Sequence, residues 1–200
     1  MQVKNIPYEA VDSVVDTLHE AFYDYPVMRY VLGGDASELS SQHLQLTRLF
    51  VMARVYCNEP LLGIGELPEL AAAAVVSLPE TEGTPKALAD FRKQVWSSLP
   101  EATKSRYDVY VAACEPFDIK MPHHHLNMVG VRDAYRGSGL GRQLVEHVIQ
   151  LAEQHPNSNG VSLTTETPGN VPFYQHLGFE VTGHAKVGSE METWSFFKEI

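Results

Sequence analysis

The sequence predicts an α/β fold, and three observations lead to that class. Segments with apolar residues at helical spacing alternate with short apolar runs that are typical of strands. A short strand pattern, a glycine-rich turn and an amphipathic helix pattern follow one another between residues 123 and 155. The 200 residues contain no internal repeat and no low-complexity linker, so one domain over residues 1–200 is the simplest interpretation.

The N-terminal part combines two helical patterns with one buried strand. The opening MQVKNI alternates and predicts an edge strand, and residues 8–22 show helical spacing until Pro26 interrupts it. A second helical pattern covers residues 40–57. The run LAAAAVVSLP is short and flanked by Pro and Gly, which favours a strand. Turn signals precede it at Gly63, Gly65 and Pro68.

The middle of the chain predicts helices around one strand. Residues 84–110 show helical spacing that breaks at Pro100. The segment HHHLNMVGV is short, rich in residues that suit strands and bounded by turn signals. The segment SGLGRQLVEHVIQLAEQH carries apolar residues along one side, as an amphipathic helix does.

The C-terminal part predicts a strand, a short helix and a final strand pair. GVSLTTET has the pattern of a strand, and NVPFYQHL that of a short helix which Gly178 ends. FEVTGHAKV and METWSFFKE then form the pattern of an antiparallel pair.

Composition excludes several classes of protein. The net charge is -10, whereas a nucleic-acid-binding protein usually has a basic excess, so we expect no nucleic-acid partner. The two cysteines have no CxxC spacing and predict neither a disulfide framework nor a cysteine zinc site. The polar start of the sequence lacks a signal-peptide core, and no apolar run reaches the length of a membrane span. We therefore expect a cytoplasmic protein with no membrane partner.

The turn between Arg136 and Arg142 carries glycine at every second position. A helix N-terminus has unpaired N–H groups and the positive end of the helix dipole, which together bind anions. Gly137, Gly139 and Gly141 leave those N–H groups accessible and tolerate unusual dihedral angles, while the two arginines can pair with phosphate oxygens. The turn therefore predicts a site for a phosphate-bearing cofactor.

Two known glycine motifs do not match this turn. The dinucleotide motif G-x-G-x-x-G would need glycine where Arg142 stands, and a P-loop would need a Gly-Lys-Ser/Thr ending. The alternative interpretation is a turn that is flexible because of its glycines and binds no ligand.

A second candidate segment is TPGNVPFYQHLGFEVTG. Asn170 and Pro172 mark a helix start, and Tyr174 falls inside the short helix. If the strands before the two helices are neighbours, the Tyr174 phenol can reach the same crevice as the glycine turn and donate a proton to a leaving group. A core aromatic residue with its hydroxyl at the surface is the alternative interpretation of Tyr174.

The two segments together resemble one family, the GCN5-related N-acetyltransferases (GNAT). The resemblance is carried by Arg136, Gly139 and Gly141 in the first motif and by residues 170–179 in the second, in the family's order and spacing. NVPFYQHLGFEV is most similar to the branch of puromycin N-acetyltransferase and other small-molecule acetyltransferases. The match is strong over residues 123–183, the expected cofactor-binding core. In the N-terminal half, the order of predicted helices and strands is compatible with the family, but no family motif is present.

The resemblance implies a mixed, mostly antiparallel sheet flanked by helices, whose parallel central strands splay apart to receive acetyl-CoA. One strand would pair with the pantetheine arm, and the glycine turn would hold the pyrophosphate. The implied cofactor contacts are Met128, Val129, Gly130, Val131, Arg136, Gly137, Ser138, Gly139, Leu140, Gly141, Arg142, Asn170 and Tyr174.

The resemblance also implies the mechanism, which is direct attack of an amine on the thioester in a ternary complex. Tyr174 would protonate the departing thiolate as the general acid. The general base departs from the family pattern, because Thr164 stands where relatives often carry Glu. Glu166 lies two residues further, on the same side of a strand, and is the candidate base. A solvated glutamate at a strand end is the alternative interpretation.

The histidine run HHHLN admits three interpretations. Relatives often carry His at the position of His123, which indicates a structural role. His125 can line the substrate pocket or act as the base, since its unperturbed pKa lies near neutrality. His123 and His125 would share a strand face, as zinc ligands can, but no third ligand is nearby and the family uses no metal.

The resemblance and the acidic chain favour a small cationic amine as acceptor. The aromatic segment FYDYPVMRY, which contains Phe22, Tyr23, Tyr25 and Tyr30, is a candidate lid, although core packing is the commoner fate of such residues. A non-catalytic CoA-binding domain and an enzyme that acetylates protein amines are the alternatives. A homodimer is possible.

Overall fold

A computed structural model describes residues 2–34, 36–79, 83–189 and 191–200. The helices are α1 (Val11–Ala21), α2 (Pro26–Leu32), α3 (Ala36–Tyr56), α4 (Lys86–Ser98), α5 (Glu101–Cys114), α6 (Leu140–Gln154) and α7 (Val171–His176). The strands are β1 (Lys4–Asn5), β2 (Leu61–Gly65), β3 (Leu70–Ser77), β4 (His124–Val131), β5 (Gly160–Thr165), β6 (Glu180–Val187) and β7 (Met191–Glu199).

The strands form one sheet in the order β1-β2-β3-β4-β5-β7-β6. Only the central β4–β5 pair is parallel, and the other described pairs are antiparallel. A parallel pair needs a crossover connection, which α6 provides. The predicted α/β fold with a mixed, mostly antiparallel sheet is confirmed.

The sheet is covered by helices on both faces, and β3 shows this in its sequence. Seven of its eight residues are buried, because a strand with both faces covered has no solvated side. Ala72, Ala74 and Val76 belong to the core under α6, whereas Ala73 and Val75 face α1 and α3. A third apolar cluster, built by α2, α3 and α4, includes Met28, Leu49 and Val95.

One local expectation from the sequence was wrong. Gly63 and Gly65 lie inside β2 rather than in turns, because a Cβ at Gly63 would come within 2.8 Å of Ile6 and the strand needs glycine for close packing. The first helix ends at Ala21, before Pro26, and Pro26 begins α2, where the missing N–H costs nothing at the first helical position. No helix within the described ranges has both the length and the apolar character needed to cross a membrane.

Candidate active site

The parallel strands β4 and β5 separate soon after they meet. They pair only at His124–Val161 and His125–Ser162, close to the N-terminal end of both strands. Beyond that point, β4 continues along β3 and β5 continues along β7. The predicted splay of the central strands is therefore present, and it opens a gap whose walls are strand edges.

A bulge in β4 lies at the start of this gap. The register of β4 against β3 shifts between Met128 and Leu126, which leaves Asn127 as the extra residue. Bulges bend a strand and increase its twist, which helps to turn β4 away from β5. Beyond the bulge, Gly130 faces α1, where an added Cβ would lie 2.6 Å from the Cβ of Ala21. Glycine is needed there for the close approach of α1.

The glycine turn follows β4 directly and leads into α6. Gly137 and Gly139 have left-handed backbone angles, with φ of 77° and 81°. Gly141 lies in the first turn of α6 and has no left-handed angle, so the prediction that it adopts an unusual dihedral angle was wrong. An added Cβ at Gly141 would meet only Val131, at 3.6 Å. The first bond of the helix runs from the Gln143 N–H to the Gly139 carbonyl, at 3.1 Å. The preceding N–H groups therefore lack acceptors within the helix.

Open space lies in front of this turn. A Cβ added to Gly137 or Gly139 would have no protein atom within 4 Å. Arg136 and Arg142 are each half or more exposed and pair only locally, with Asp133 at 2.8 Å and Glu146 at 3.6 Å. Amides at a helix start, two exposed arginines and an adjacent gap between strands fit a ligand that carries both phosphate groups and an extended arm.

A cavity of about 510 Å³ occupies the gap and extends under the helices. Its floor is formed by β4 residues 125–129 and by Leu163 and Thr164 of β5. Its wall combines aliphatic and polar side chains with seven aromatic ones, which are Phe22, Tyr25, Phe50, Trp96, Tyr107, Tyr110 and Tyr174. A mostly apolar cavity with a few polar groups is typical of a small-molecule site.

Glu166 is a buried carboxyl group in the wall of this cavity. It lies one residue beyond β5 and is 5% exposed, which excludes the interpretation as a solvated glutamate. The hydroxyls of Tyr110 and Thr193 both donate to its Oε1 at 2.9 Å. Burial raises the pKa of Glu166 above its ordinary value, and the hydrogen bonds from Tyr110, Thr193 and Tyr25 oppose that rise. A carboxylate with a raised pKa is a stronger base than an exposed one.

Tyr174 lines the same cavity from α7 and is 6% exposed. Its ring packs against Phe179 and Phe196, so the interpretation as a core aromatic holds for the ring. Burial, followed by the nearby charges of Tyr25 and Glu166, raises the pKa of the Tyr174 hydroxyl. The phenol therefore keeps its proton at neutral pH.

Tyr25 and Asn170 form hydrogen bonds with the end of β5, next to Glu166. The Tyr25 hydroxyl shares a hydrogen bond of 2.9 Å with Thr165 Oγ1 and accepts from the Glu166 N–H at 3.2 Å. Asn170 donates through Nδ2 to the same Thr165 Oγ1 at 3.1 Å. Burial raises the pKa of Tyr25 to about 12. The polar network therefore fixes the end of β5 against α2 and the start of α7.

The histidine run divides between two environments. His124 is buried and its Nδ1 bonds to Ser158 Oγ at 2.9 Å, whereas the Nδ1 of His125 bonds to Ser162 Oγ at 2.7 Å. Burial, then the neighbouring His123 and Arg54, lower the pKa of His125 to about 4. His125 lines the cavity as a neutral imidazole. Within the described ranges, no group of three or more His, Cys, Asp and Glu residues has a metal-binding arrangement.

Sequence reasoning missed the residues that surround Glu166. Tyr110 and Thr193 come from α5 and β7, and Tyr110 falls within a helix whose other residues carry no site signal. Of the aromatic segment proposed as a lid, Phe22 and Tyr25 line the cavity, whereas Tyr23 is 37% exposed and Tyr30 packs with the third core cluster.

Residues 89–193 match the acetyltransferase (GNAT) domain family. This range covers more than half of the chain and contains β4, the glycine turn, Glu166 and Tyr174. The chain belongs to the GNAT acetyltransferase family. The predicted family and the prediction of an acyltransferase are both confirmed.

Curated relatives of this GNAT protein include one from a slime mould, Dictyostelium discoideum, and one from a bacteriophage. A probable serine/threonine-protein kinase of Dictyostelium discoideum is 25% identical over 88% of this chain, which spans only 20% of that protein's length. A 5-NmdU N-acetyltransferase of Pseudomonas phage PaMx11 is 29% identical over 55% of this chain and 81% of its own length. The phage enzyme supports acetyl transfer as the general activity.

Solved structures share the GNAT fold over the full length of the chain. The crystal structure of a histone acetyltransferase HPA2 and related acetyltransferase from Corynebacterium glutamicum superposes with a TM-score of 0.69 at 19% identity. The superposition covers 99% of this chain and 95% of that one. At such low identity, the similarity establishes the fold alone.

Proposed function

We propose that this GNAT protein transfers the acetyl group of acetyl-CoA to the primary amine of a small molecule that binds as a cation. The amine attacks directly, in a ternary complex. One observation supports this most strongly: the cavity in the β4–β5 gap holds a buried carboxyl group and a buried phenol, Glu166 and Tyr174. These are the base and the acid that acyl transfer to an ammonium requires.

Acetyl-CoA supplies the acetyl group as an activated thioester. In this proposal the amides of residues 137–142, with Arg136 and Arg142, hold its diphosphate. The edge of β4 that faces the gap, at residues 128–131, pairs with the pantetheine arm as an added strand would. Asn170, which lines the cavity beside Thr165, contacts the same arm.

Glu166 is the general base. It removes a proton from the ammonium, which leaves a nitrogen lone pair that bonds to the acetyl carbon while the carbon–sulfur bond breaks. His125 is the weaker candidate, because its pKa of about 4 makes it a poorer base than a carboxylate whose pKa is raised. His125 therefore belongs to the wall of the pocket.

Tyr174 is the general acid, and its proton goes to the departing sulfur. The nitrogen loses its second proton as the amide forms, and this proton restores the Tyr174 phenol. The raised pKa keeps the phenol proton available at neutral pH. The raised pKa also makes Tyr174 a weaker acid, so proton transfer to sulfur depends on the negative charge that develops on sulfur as the carbon–sulfur bond breaks. Enclosure between helices α2, α3, α4 and α5 suits a small acceptor rather than a protein surface.

Free-thiol release from acetyl-CoA, measured over a panel of amines and polyamines, tests this function. We expect turnover with small primary amines, and calorimetric binding of CoA without acceptor. Tight CoA binding with no turnover of any amine would instead indicate a non-catalytic CoA-binding domain. Turnover confined to peptide amines would indicate a protein acetyltransferase.

Replacing Tyr110 should shift the pH dependence. The Tyr110 hydroxyl donates to Glu166 and lowers the pKa of that carboxyl, so Tyr110→Phe should raise the pKa further. The acidic limb of the kcat/KM profile should then move to higher pH, because more base is protonated at a given pH. Tyr56→Phe, on α3 outside the cavity lining, is the matched control. An unmoved acidic limb in Tyr110→Phe would show that Glu166 is not the titrating base.

A further inference from the structure

Arginine side chains in this protein are almost all paired. The sequence contains eight arginines, all within the described ranges, and seven of them have ion pairs or hydrogen bonds. Arg92 of α4 is the exception, with neither kind of partner among the residues that the structure describes. In a chain with a net charge of -10, an arginine with neither an ion pair nor a hydrogen bond is unexpected.

Arg92 lies where two cavities meet. It lines the substrate cavity and also a second cleft of about 460 Å³, and it shares both linings with Arg54 and His125. Trp96, one helical turn further along α4, lines the substrate cavity. Tyr107 lines the same cavity; burial raises the pKa of its hydroxyl, and the charge of Arg92 opposes that rise.

The second cleft has a positive balance among its described lining residues. Its cationic groups are Arg54, Arg92 and Lys120, which lie beside the imidazoles of His123 and His125. The carboxylate of Glu59 is fully buried and forms an ion pair with Arg54 at 2.8 Å, so it does not neutralise the rest. Lys120 is 81% exposed and pairs only with Asp118, at 3.6 Å. Among the described lining residues, Arg92 is therefore the cation that no carboxylate neutralises, and it lies beside the acceptor site.

We propose that the acceptor is amphoteric and binds Arg92 through a carboxylate or phosphate group at the end opposite its amine. This inference rests on the proposed function, since it takes Glu166 as the place of the amine. The aromatic wall, including Phe50, Trp96 and Tyr107, contacts the apolar body between the two charged ends. Arginine suits this role because its planar fork binds carboxylate and phosphate oxygens in pairs.

Two matched probe pairs test the proposal in the thiol-release assay. The carboxylate pair is 4-(2-aminoethyl)benzoate and its methyl ester, and the phosphate pair is tyramine O-phosphate and tyramine. Each pair shares the ring and the primary amine and differs in the anionic group. Wild-type protein should show a KM at least about tenfold lower for the anionic member of one pair, as a charge-assisted hydrogen bond provides. The pair that shows the difference identifies the anion.

Arg92→Gln should abolish this preference by raising the KM of the anionic probe to that of its neutral partner. Lys93→Gln is the matched control, because it removes the same charge from the next residue of α4, which is exposed and lines neither cavity. Arg92→Lys should restore part of the preference. Melting temperatures of all three variants should equal that of the wild type, since both side chains are exposed.

Four results would overturn the proposal or its basis. Equal KM values within both probe pairs, or a preference that survives Arg92→Gln, would reject the anion site and leave the acetyltransferase function intact. Thiol release from no amine would reject the proposed function. In that case, calorimetry can still test the anion site. It compares the affinity of 4-(2-aminoethyl)benzoate for the wild type with its affinity for Arg92→Gln, both loaded with CoA. Equal affinities would reject the anion site.

Discussion

Glu166→Gln should lower kcat by at least about 100-fold, the usual contribution of a general base. Glutamine keeps the size of the side chain and can still accept from Tyr110 and Thr193, but it cannot take a proton from the ammonium. The affinity for CoA should stay unchanged, because the phosphate site lies at the glycine turn. Steady-state kinetics and calorimetry with CoA measure the two effects separately.

The same variant should be more stable than the wild type at pH 8. Burial raises the pKa of Glu166 in the folded state above its unfolded value, so ionisation of this group destabilises the fold as the pH rises through the folded pKa. Below the unfolded pKa both states hold the proton, and the difference in melting temperature should disappear. Glu153→Gln, at an exposed position of α6, should change neither rate nor stability. Full activity of Glu166→Gln would remove this residue from the mechanism.

Gly139→Leu should weaken CoA binding by at least about tenfold, because a side chain there would cover the amides that we assign to the diphosphate. Its backbone angle is left-handed, so the variant also carries strain of about 1–2 kcal/mol. Gly83→Leu is matched in strain, with φ of 70° and open space around an added Cβ, but it lies away from the turn. Calorimetric titration with CoA compares the two.

Gly141→Ala separates contact with the ligand from backbone strain. Gly141 has no left-handed angle, and an added Cβ would meet Val131 only at an ordinary contact distance of 3.6 Å. Folding should therefore be unaffected, while CoA affinity should fall because the methyl group enters the space before the helix amides. Unchanged affinity in both Gly139→Leu and Gly141→Ala would show that the diphosphate binds elsewhere.

The glycine turn was predictable because its signal is local. A strand pattern, the residues Arg136 to Arg142 and an amphipathic helix are contiguous in the chain, and the structure places them as β4, a left-handed turn and α6. Helices and strands with strong periodicity were equally readable. The strand β2 was not, because its two glycines resemble turn residues unless their neighbours Ile6 and Leu70 are known.

The environment of Glu166 could not be predicted from the sequence in the same way. Sequence placed a carboxylate two residues after Thr164, but its burial and raised pKa depend on residues from three other elements. Tyr25, Tyr110 and Thr193 lie 141, 56 and 27 positions away along the chain. No local pattern relates such positions, since only the order of strands and the packing of helices bring them together.

The sequence by itself determined the alternation of helices and strands, the glycine turn with its two arginines, and the short helix that carries Tyr174. These depend on periodicity and on backbone preferences that act within a few residues. Only the tertiary structure decided that β4 and β5 pair at just two residue positions before they separate, that Glu166 is buried beside the cavity, and that Arg92 at its rim has no ion-pair or hydrogen-bond partner among the described residues. Those features arise from contacts between distant segments, and burial and pKa are properties of the folded environment rather than of the residue.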